Sequence, residues 1–237
     1  MNKIKIMLSA IFTLMLVNIT TAQSDSSNFA GPYVGITASG YGMQMSGSSI
    51  TGGGGTEGVN DYDEVSLGKV APITGFEIGY ALPLGSAFLI DIGASYYQGE
   101  AQLDFIDDSG IITAHADETE LTGKGTVSFQ IDDLRTISIA PTLVLSDTSS
   151  LYMKVGLSEA DIGVGGDITT PADLSGTTWA IGTRTVLDSG IFIKTEAGYT
   201  DYNGISAHGQ GNSVASTNSY SAEPTIAFGT VSLGFRF

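Results

Sequence analysis

The sequence predicts an all-β fold, a closed antiparallel up-and-down barrel of eight strands that spans a membrane. Three observations predict it. Apolar residues recur at every second position in eight separate segments. The ionisable residues within those segments all fall on the opposite parity. The connections between segments alternate between tight turns and long loops.

Period-2 alternation is the pattern of a strand whose two faces meet different surroundings. The first segment, 32–43, carries Val34, Ile36 and Ala38 on one side. In 74–82, Phe76, Ile78, Tyr80 and Leu82 oppose Gly75, Glu77, Gly79 and Ala81. In 88–96, Phe88, Ile90, Ile92, Ala94 and Tyr96 oppose Leu89, Asp91, Gly93 and Ser95. The fourth, 137–145, sets Ile137, Ile139, Leu143 and Leu145 against Ser138, Ala140, Thr142 and Val144, with Pro141 breaking the pattern. The fifth, 151–158, sets Leu151, Met153, Val155 and Leu157 against Tyr152, Lys154, Gly156 and Ser158. Trp179, Ile181, Thr183, Thr185 and Leu187 face away from Ala180, Gly182, Arg184 and Val186. Ile191, Ile193, Thr195, Ala197 and Tyr199 oppose Phe192, Lys194, Glu196 and Gly198. The last segment sets Val231, Leu233, Phe235 and Phe237 against Thr230, Ser232, Gly234 and Arg236.

The charges decide which face meets lipid. Glu77, Asp91, Lys154, Arg184, Lys194, Glu196 and Arg236 all share the parity rich in glycine and small polar residues. A Lys or Arg on the apolar parity would cost about 2–4 kcal/mol at mid-bilayer. A soluble barrel would do the reverse, turning apolar side chains inward and charges to water. Closure follows because an open sheet edge in lipid leaves backbone groups unpaired. Tight turns are expected at 83–86, 146–150 and 188–190, and long loops at 44–69, 100–134, 161–176 and 203–223. That asymmetry implies short periplasmic turns and long extracellular loops. Tyr96, Trp179 and Tyr199 towards the loops, and Tyr80, Phe88 and Phe237 towards the turns, suit the two membrane–water interfaces.

Residues 1–22 read as a signal peptide, with Lys3 and Lys5, an apolar run over 6–19 and small residues at Thr20, Thr21 and Ala22. The run is short for a transmembrane helix of about 20 residues. Residues 23–29 are then a short periplasmic segment and 30–237 the barrel. Losing the two lysines would move the formal charge from −16 to about −18. So acidic a chain is not expected to bind nucleic acid, whose phosphates need Lys and Arg. With no cysteine, neither a lipoprotein anchor nor a disulfide framework is available.

The ending Val231-Ser232-Leu233-Gly234-Phe235-Arg236-Phe237 resembles the terminal strand of bacterial outer-membrane proteins. There, an aromatic end with apolar residues at alternate positions is read by the barrel-assembly machinery. The resemblance implies that role for Val231, Leu233, Phe235 and Phe237. The chain as a whole is similar to the small OmpA-type and opacity-type barrels, which implies a bacterial outer-membrane location and an interior filled by side chains. Unlike full-length OmpA-type proteins, the sequence shows no peptidoglycan-binding domain after the last strand.

The sharpest functional feature is the charged set predicted inside the barrel: Glu77, Asp91, Lys154, Arg184, Lys194, Glu196 and Arg236. Unpaired charges in so narrow a lumen would be costly, so paired networks are expected, with Tyr97, Tyr152 and Phe192 filling space beside them. Such a set reads as a structural plug, or alternatively as the gate of a narrow porin for small solutes or ions. The loop acids Asp61, Asp63, Glu64, Asp104, Asp107, Asp108, Asp117, Glu118, Glu120, Asp132 and Asp133 lack the spacing of a calcium loop. They read as solvated surface, and no metal or cofactor is expected. The run Gly52 to Gly55 lacks the lysine of a phosphate loop. His115 and His208 fall in predicted loops without a lipase or protease motif, so a lipid-modifying enzyme is the least favoured class. The expectation is a monomeric, non-enzymatic barrel embedded in outer-membrane lipid, with a structural or surface-interaction role and an unidentified extracellular partner. Residues 126–131 also alternate, with Val127, Phe129 and Ile131 on one parity, and would prolong the fourth strand or form an external hairpin with 101–106.

Overall fold

A computed structural model describes residues 25–51, 61–99, 101–106, 126–165, 169, 171–187, 189–208 and 219–237. A 3-10 turn, Ser26–Asn28, precedes β1 (Gly31–Thr51), β2 (Asp61–Pro83), β3 (Phe88–Gln98), β4 (Ala101–Ile106), β5 (Thr126–Val144), β6 (Ser149–Gly165), β7 (Leu174–Val186), β8 (Ile191–Tyr202), β9 (Ile205–His208) and β10 (Ser219–Arg236). Eight strands form the wall in the order β1, β2, β3, β5, β6, β7, β8 and β10. Every pairing is antiparallel, and β10 closes on β1 from Tyr33↔Arg236 to Ile50↔Ser219. Closure satisfies each wall strand on both sides, which is what lipid requires. The short β4 takes over from β3 against β5, and β9 takes over from β8 against β10.

The turns at one end are as tight as the sequence implies. Leu84, Leu145 and Leu187 donate backbone N–H bonds to Phe88, Ser149 and Ile191 at 2.9, 2.9 and 2.7 Å. Pro141 is accommodated by a gap: the β5–β6 bridges pass from Ile139↔Val155 to Thr142↔Tyr152, leaving Ala140 and Pro141 unbridged on that side. Pro141 still pairs with Ile90 across β3. The missing donor therefore falls on one neighbour only.

The outward parity forms a continuous apolar belt. Ile36, Ile78, Ile92, Ile137, Leu157, Ile181, Ile193 and Leu233 are all exposed on the outer wall. On β5 and β6 its upper boundary is sharp. Ile137 pairs with Leu157, whereas the next outward pair, Arg135 with Glu159, is charged. Arg135 lies 3.8 Å from Glu159 and 2.5 Å from Asp161, and Tyr96 donates to Asp133 beside them. Such groups belong in water, so this row marks the outer membrane–water interface.

The strands run well past that boundary. β1 has 21 residues and β2 has 23, where a transmembrane strand needs about 9–11. Much of 44–69, expected as a loop, is therefore strand. The same holds for the ends of the other long connections, where 126–132, 161–165, 205–208 and 219–223 are paired. His208 lies in β9 rather than in a loop. Segments 101–106 and 126–131 do pair, β5 being continuous through the junction, with a register shift between Asp132 and Arg135. Above the membrane the wall divides. The β2–β3 ladder ends at Thr74↔Gln98 and the β6–β7 ladder at Ala160↔Leu174. Among the described residues, β4–β5–β6 and β2–β1–β10–β9 continue upward as two separate ribbons.

The expected leader and its cleavage site, the glycine run at 52–55, and the acidic stretch 107–125 with His115 lie outside the described residues.

Candidate functional site

The inner parity is layered from the tight-turn end upward. Lowest is an apolar layer of Phe29, Tyr33, Ala81, Leu89, Val144, Val186 and Phe192, all buried. Above it lie the charges. A row of hydroxyls follows: Thr136 to Ser158 at 2.6 Å, Ser158 to Thr178 at 2.5 Å and Thr178 to Thr200 at 2.7 Å. On the opposite wall Ser39 meets Thr230 at 2.6 Å. Uppermost is a second apolar layer that includes Tyr41, Met43, Ile73, Tyr97, Ile131, Ile162, Tyr202 and Phe228.

Six of the seven charged residues expected inside the barrel come together as three ion pairs. Lys194 Nζ lies 2.6 Å from Glu77 Oε2, and Arg184 Nη2 lies 2.8 Å from Asp91 Oδ2. Lys154 pairs with Glu196, whose second oxygen accepts from the Tyr152 hydroxyl at 3.0 Å. Each pair crosses between strands, so the interior is cross-braced as well as filled. In a low-dielectric interior, matched pairs are the arrangement in which such charges persist. Aromatic faces complete the shell. The Arg184 guanidinium sits 4.6 Å from the Tyr33 ring and 5.3 Å from Phe192, and Lys194 lies 5.4 Å from both Tyr33 and Tyr152. These distances are within cation–π range.

Glycine explains how such bulk fits. A β-carbon on Gly182 would overlap the Tyr152 ring, and one on Gly234 would overlap the Phe192 ring. The inner glycines are the sockets of the lumen aromatics. What remains open among Tyr33, Glu77, Asp91, Tyr152, Arg184 and Lys194 is a cavity of about 20 Å³, roughly the room one water needs. Glu77 Oε1, Asp91 Oδ1 and Arg184 Nε are buried there without a protein partner.

Arg236 departs from the expectation. Its strand position is on the inner parity, but it stands at the mouth and takes no part in the three pairs. Its Nη1 donates to the carbonyls of Ser27 and Ala30 at 3.2 and 3.1 Å. The terminal residues Val231, Leu233, Phe235 and Phe237 all face outward and are exposed. Tyr97, Tyr152 and Phe192 are buried inside. Two features lie outside the expectations drawn from the sequence. The Arg135, Glu159 and Asp161 collar could have been found from the parity that Arg135 shares with Ile137. The Asp25–Ala30 segment gives no such signal, because Phe29 is an isolated apolar residue before the first strand.

A closed eight-stranded wall with an apolar exterior and a polar interior defines a small bacterial outer-membrane β-barrel. Among solved structures the chain is similar to the outer-membrane protein OprG from Pseudomonas aeruginosa, with a TM-score of 0.55 and 13% identity, over 92% of this chain and 99% of that one. It is similar also to the outer-membrane protein AlkL in lipid bilayers, with a TM-score of 0.50 and 15% identity, over 92% and 93% of the two chains. The attachment invasion locus protein Ail of Yersinia pestis matches at a TM-score of 0.41 and 11% identity, over 86% and 99%. No protein-family model matches the chain, and neither does any curated protein.

Proposed function

We propose that this protein is a non-enzymatic outer-membrane barrel whose lumen is closed across the membrane and whose activity lies at its extracellular end. The observation that carries this reading is the stack of three lumen ion pairs above an apolar layer, with a cavity of about 20 Å³ among them. A hydrated ion has no path of its own size through such a stack. The rise of β1 and β2 beyond the apolar belt supports the second half, since it lifts a large surface clear of the membrane. Outer-membrane lipid is its surroundings, the assembly machinery its partner during insertion, and the monomer its working form. Single-channel recording of the purified, heat-modifiable barrel in a planar bilayer tests the reading. Silence is expected. Stable unit openings that change with Glu77→Gln or Lys154→Met would instead make it a narrow gated porin.

A second reading rests on the uppermost layer. A polar extracellular end built only for contact with macromolecules does not need an interior of Tyr41, Met43, Ile73, Tyr202 and Phe228. An apolar interior of that kind favours contact with small apolar molecules. Binding of a fluorescent naphthylamine that is weakened by Met43→Lys would support it. Equal binding in both folded proteins would remove it.

A further inference from the structure

We propose that Asp25–Ala30 is a cork for the periplasmic mouth, held by Arg236, which seats only when β10 has closed on β1. The segment crosses the tight-turn end of the barrel as a 3-10 turn and drives Phe29 into the lower apolar layer, where the side chain is 0% exposed. An aromatic ring seated among Leu89, Val144, Val186 and Phe192 fills the floor of the lumen from below. It does so from outside the barrel wall, which begins only at Gly31.

Its anchors come from three separate parts of the chain. Ser26 donates from its backbone N–H to Ser86 O at 2.8 Å, and from its hydroxyl to Gly85 O at 2.6 Å, both in the β2–β3 turn. Asn28 Nδ2 donates to Asp147 O in the β5–β6 turn at 3.2 Å, and the Asp25 N–H to Asp147 Oδ1 at 3.4 Å. Arg236, on β10, reaches the carbonyls of Ser27 and Ala30. These three places face one another only once the wall has closed. Gly31 supplies the reversal from cork to β1, with φ of +109° and its Cα so near Phe237 O that a β-carbon would lie 3.1 Å from it. The Phe237 N–H in turn donates to Pro32 O at 3.0 Å. The cork is therefore sewn to the seam between the first and last strands. Arg236 lies on the parity opposite Val231, Leu233, Phe235 and Phe237, so holding the cork leaves that outward row free for its expected role in assembly.

The proposal rests on the closed-lumen reading but is tested separately from it. The chain has no cysteine, so Val144→Cys places a single thiol in the layer that Phe29 covers. In the full-length, folded barrel this thiol should react slowly with a small water-soluble maleimide. Adding Phe29→Ser with Ser26→Ala should speed labelling about ten-fold or more, as local opening exposes the floor, and Arg236→Gln should give an intermediate rate. Equal rates in all folded variants, or fast labelling with Phe29 in place, would overturn the cork. Should a variant fail to fold, chymotrypsin on the parent protein decides: resistance at Phe29 is expected, and cleavage there at the rate of an unstructured loop refutes the proposal. Unit conductance alongside a protected thiol in the Val144→Cys barrel would sink the closed-lumen reading and leave the cork standing.

Discussion

Lys194 and Glu77, 117 residues apart in sequence, meet across the lumen at 2.6 Å with little of either side chain exposed. Removing either charge would leave the other buried without its partner. Breaking such a buried pair from one side costs about 3–5 kcal/mol, whereas replacing both partners with apolar residues of similar volume is close to neutral. Glu77→Leu should therefore lower the urea midpoint of the lipid-inserted barrel sharply, and Glu77→Leu with Lys194→Met should recover most of it. A double variant as weak as the single one would show that the pair is worth more than its burial costs.

Gly234 and Gly40 make opposite predictions although both lie on the β1–β10 seam. A β-carbon on Gly234 would collide with the Phe192 ring, whereas one on Gly40 meets nothing within 4 Å. Gly234→Ala should destabilise by about 1–3 kcal/mol through overpacking, and Phe192→Leu should partly rescue it. Gly40→Ala should be neutral or mildly stabilising, because alanine has less backbone freedom to lose on folding. Unfolding midpoints of the parent and the three variants decide the matter.

Parity explains why so much of this was legible in the sequence. A residue's side of the wall is fixed by odd or even position, so Glu77, Asp91, Lys154, Arg184, Lys194 and Glu196 could be placed inside from their neighbours alone. Their pairing could not. The partners lie 117, 93 and 42 residues apart, and which acid meets which base depends on the stagger of strands around the barrel. The height of the strands was hidden for a different reason. Beyond the Arg135–Glu159 row the outer face meets water, so it need not be apolar and the alternation loses contrast. Above that level apolar residues such as Met43, Ile73 and Ile162 turn inward, the reverse of the membrane pattern. Arg236 was on the correct parity but at the mouth, where its partners are carbonyls of a segment that no periodicity reveals.

Asp25 gives the cork a pH dependence. Its carboxylate caps the 3-10 turn by accepting from the Ser27 N–H at 2.9 Å. The Ser27 backbone bond, chiefly, and its hydroxyl hold the Asp25 pKa below the ordinary aspartate value. A depressed folded pKa contributes stability that is present above the unfolded value and lost as pH falls through the folded one. Labelling of the thiol in Val144→Cys, here with a dipyridyl disulfide that still reacts in acid and taken at each pH relative to the same thiol in the unfolded chain, should thus be slow and constant at neutral pH and quicken below about pH 4. Adding Asp25→Asn, which keeps an acceptor but no charge, should flatten that rise. Among the described residues Asp147 and Arg236 also carry charge at this mouth, and an unchanged profile with Asp25→Asn would refute a part for Asp25.

The membrane boundary inferred from β5 and β6 makes the last prediction. Leu157 is 73% exposed on the outer wall, within the belt, and Glu159 is the next outward residue on the same strand, paired with Arg135. If lipid ends between them, the same charge should have very different costs two positions apart. Leu157→Arg should destabilise the inserted barrel by up to about 2–4 kcal/mol, less if the site lies close to the interface. Glu159→Arg should cost within about 1 kcal/mol, because it exchanges an exposed ion pair for an exposed, screened like-charge contact with Arg135. The comparison is made by urea unfolding in phospholipid vesicles and repeated in a thinner bilayer. The Leu157→Arg penalty should shrink as the hydrocarbon edge recedes below it. Equal, large penalties at both sites would place the boundary higher on β6, with the Arg135, Glu159 and Asp161 collar inside the hydrocarbon.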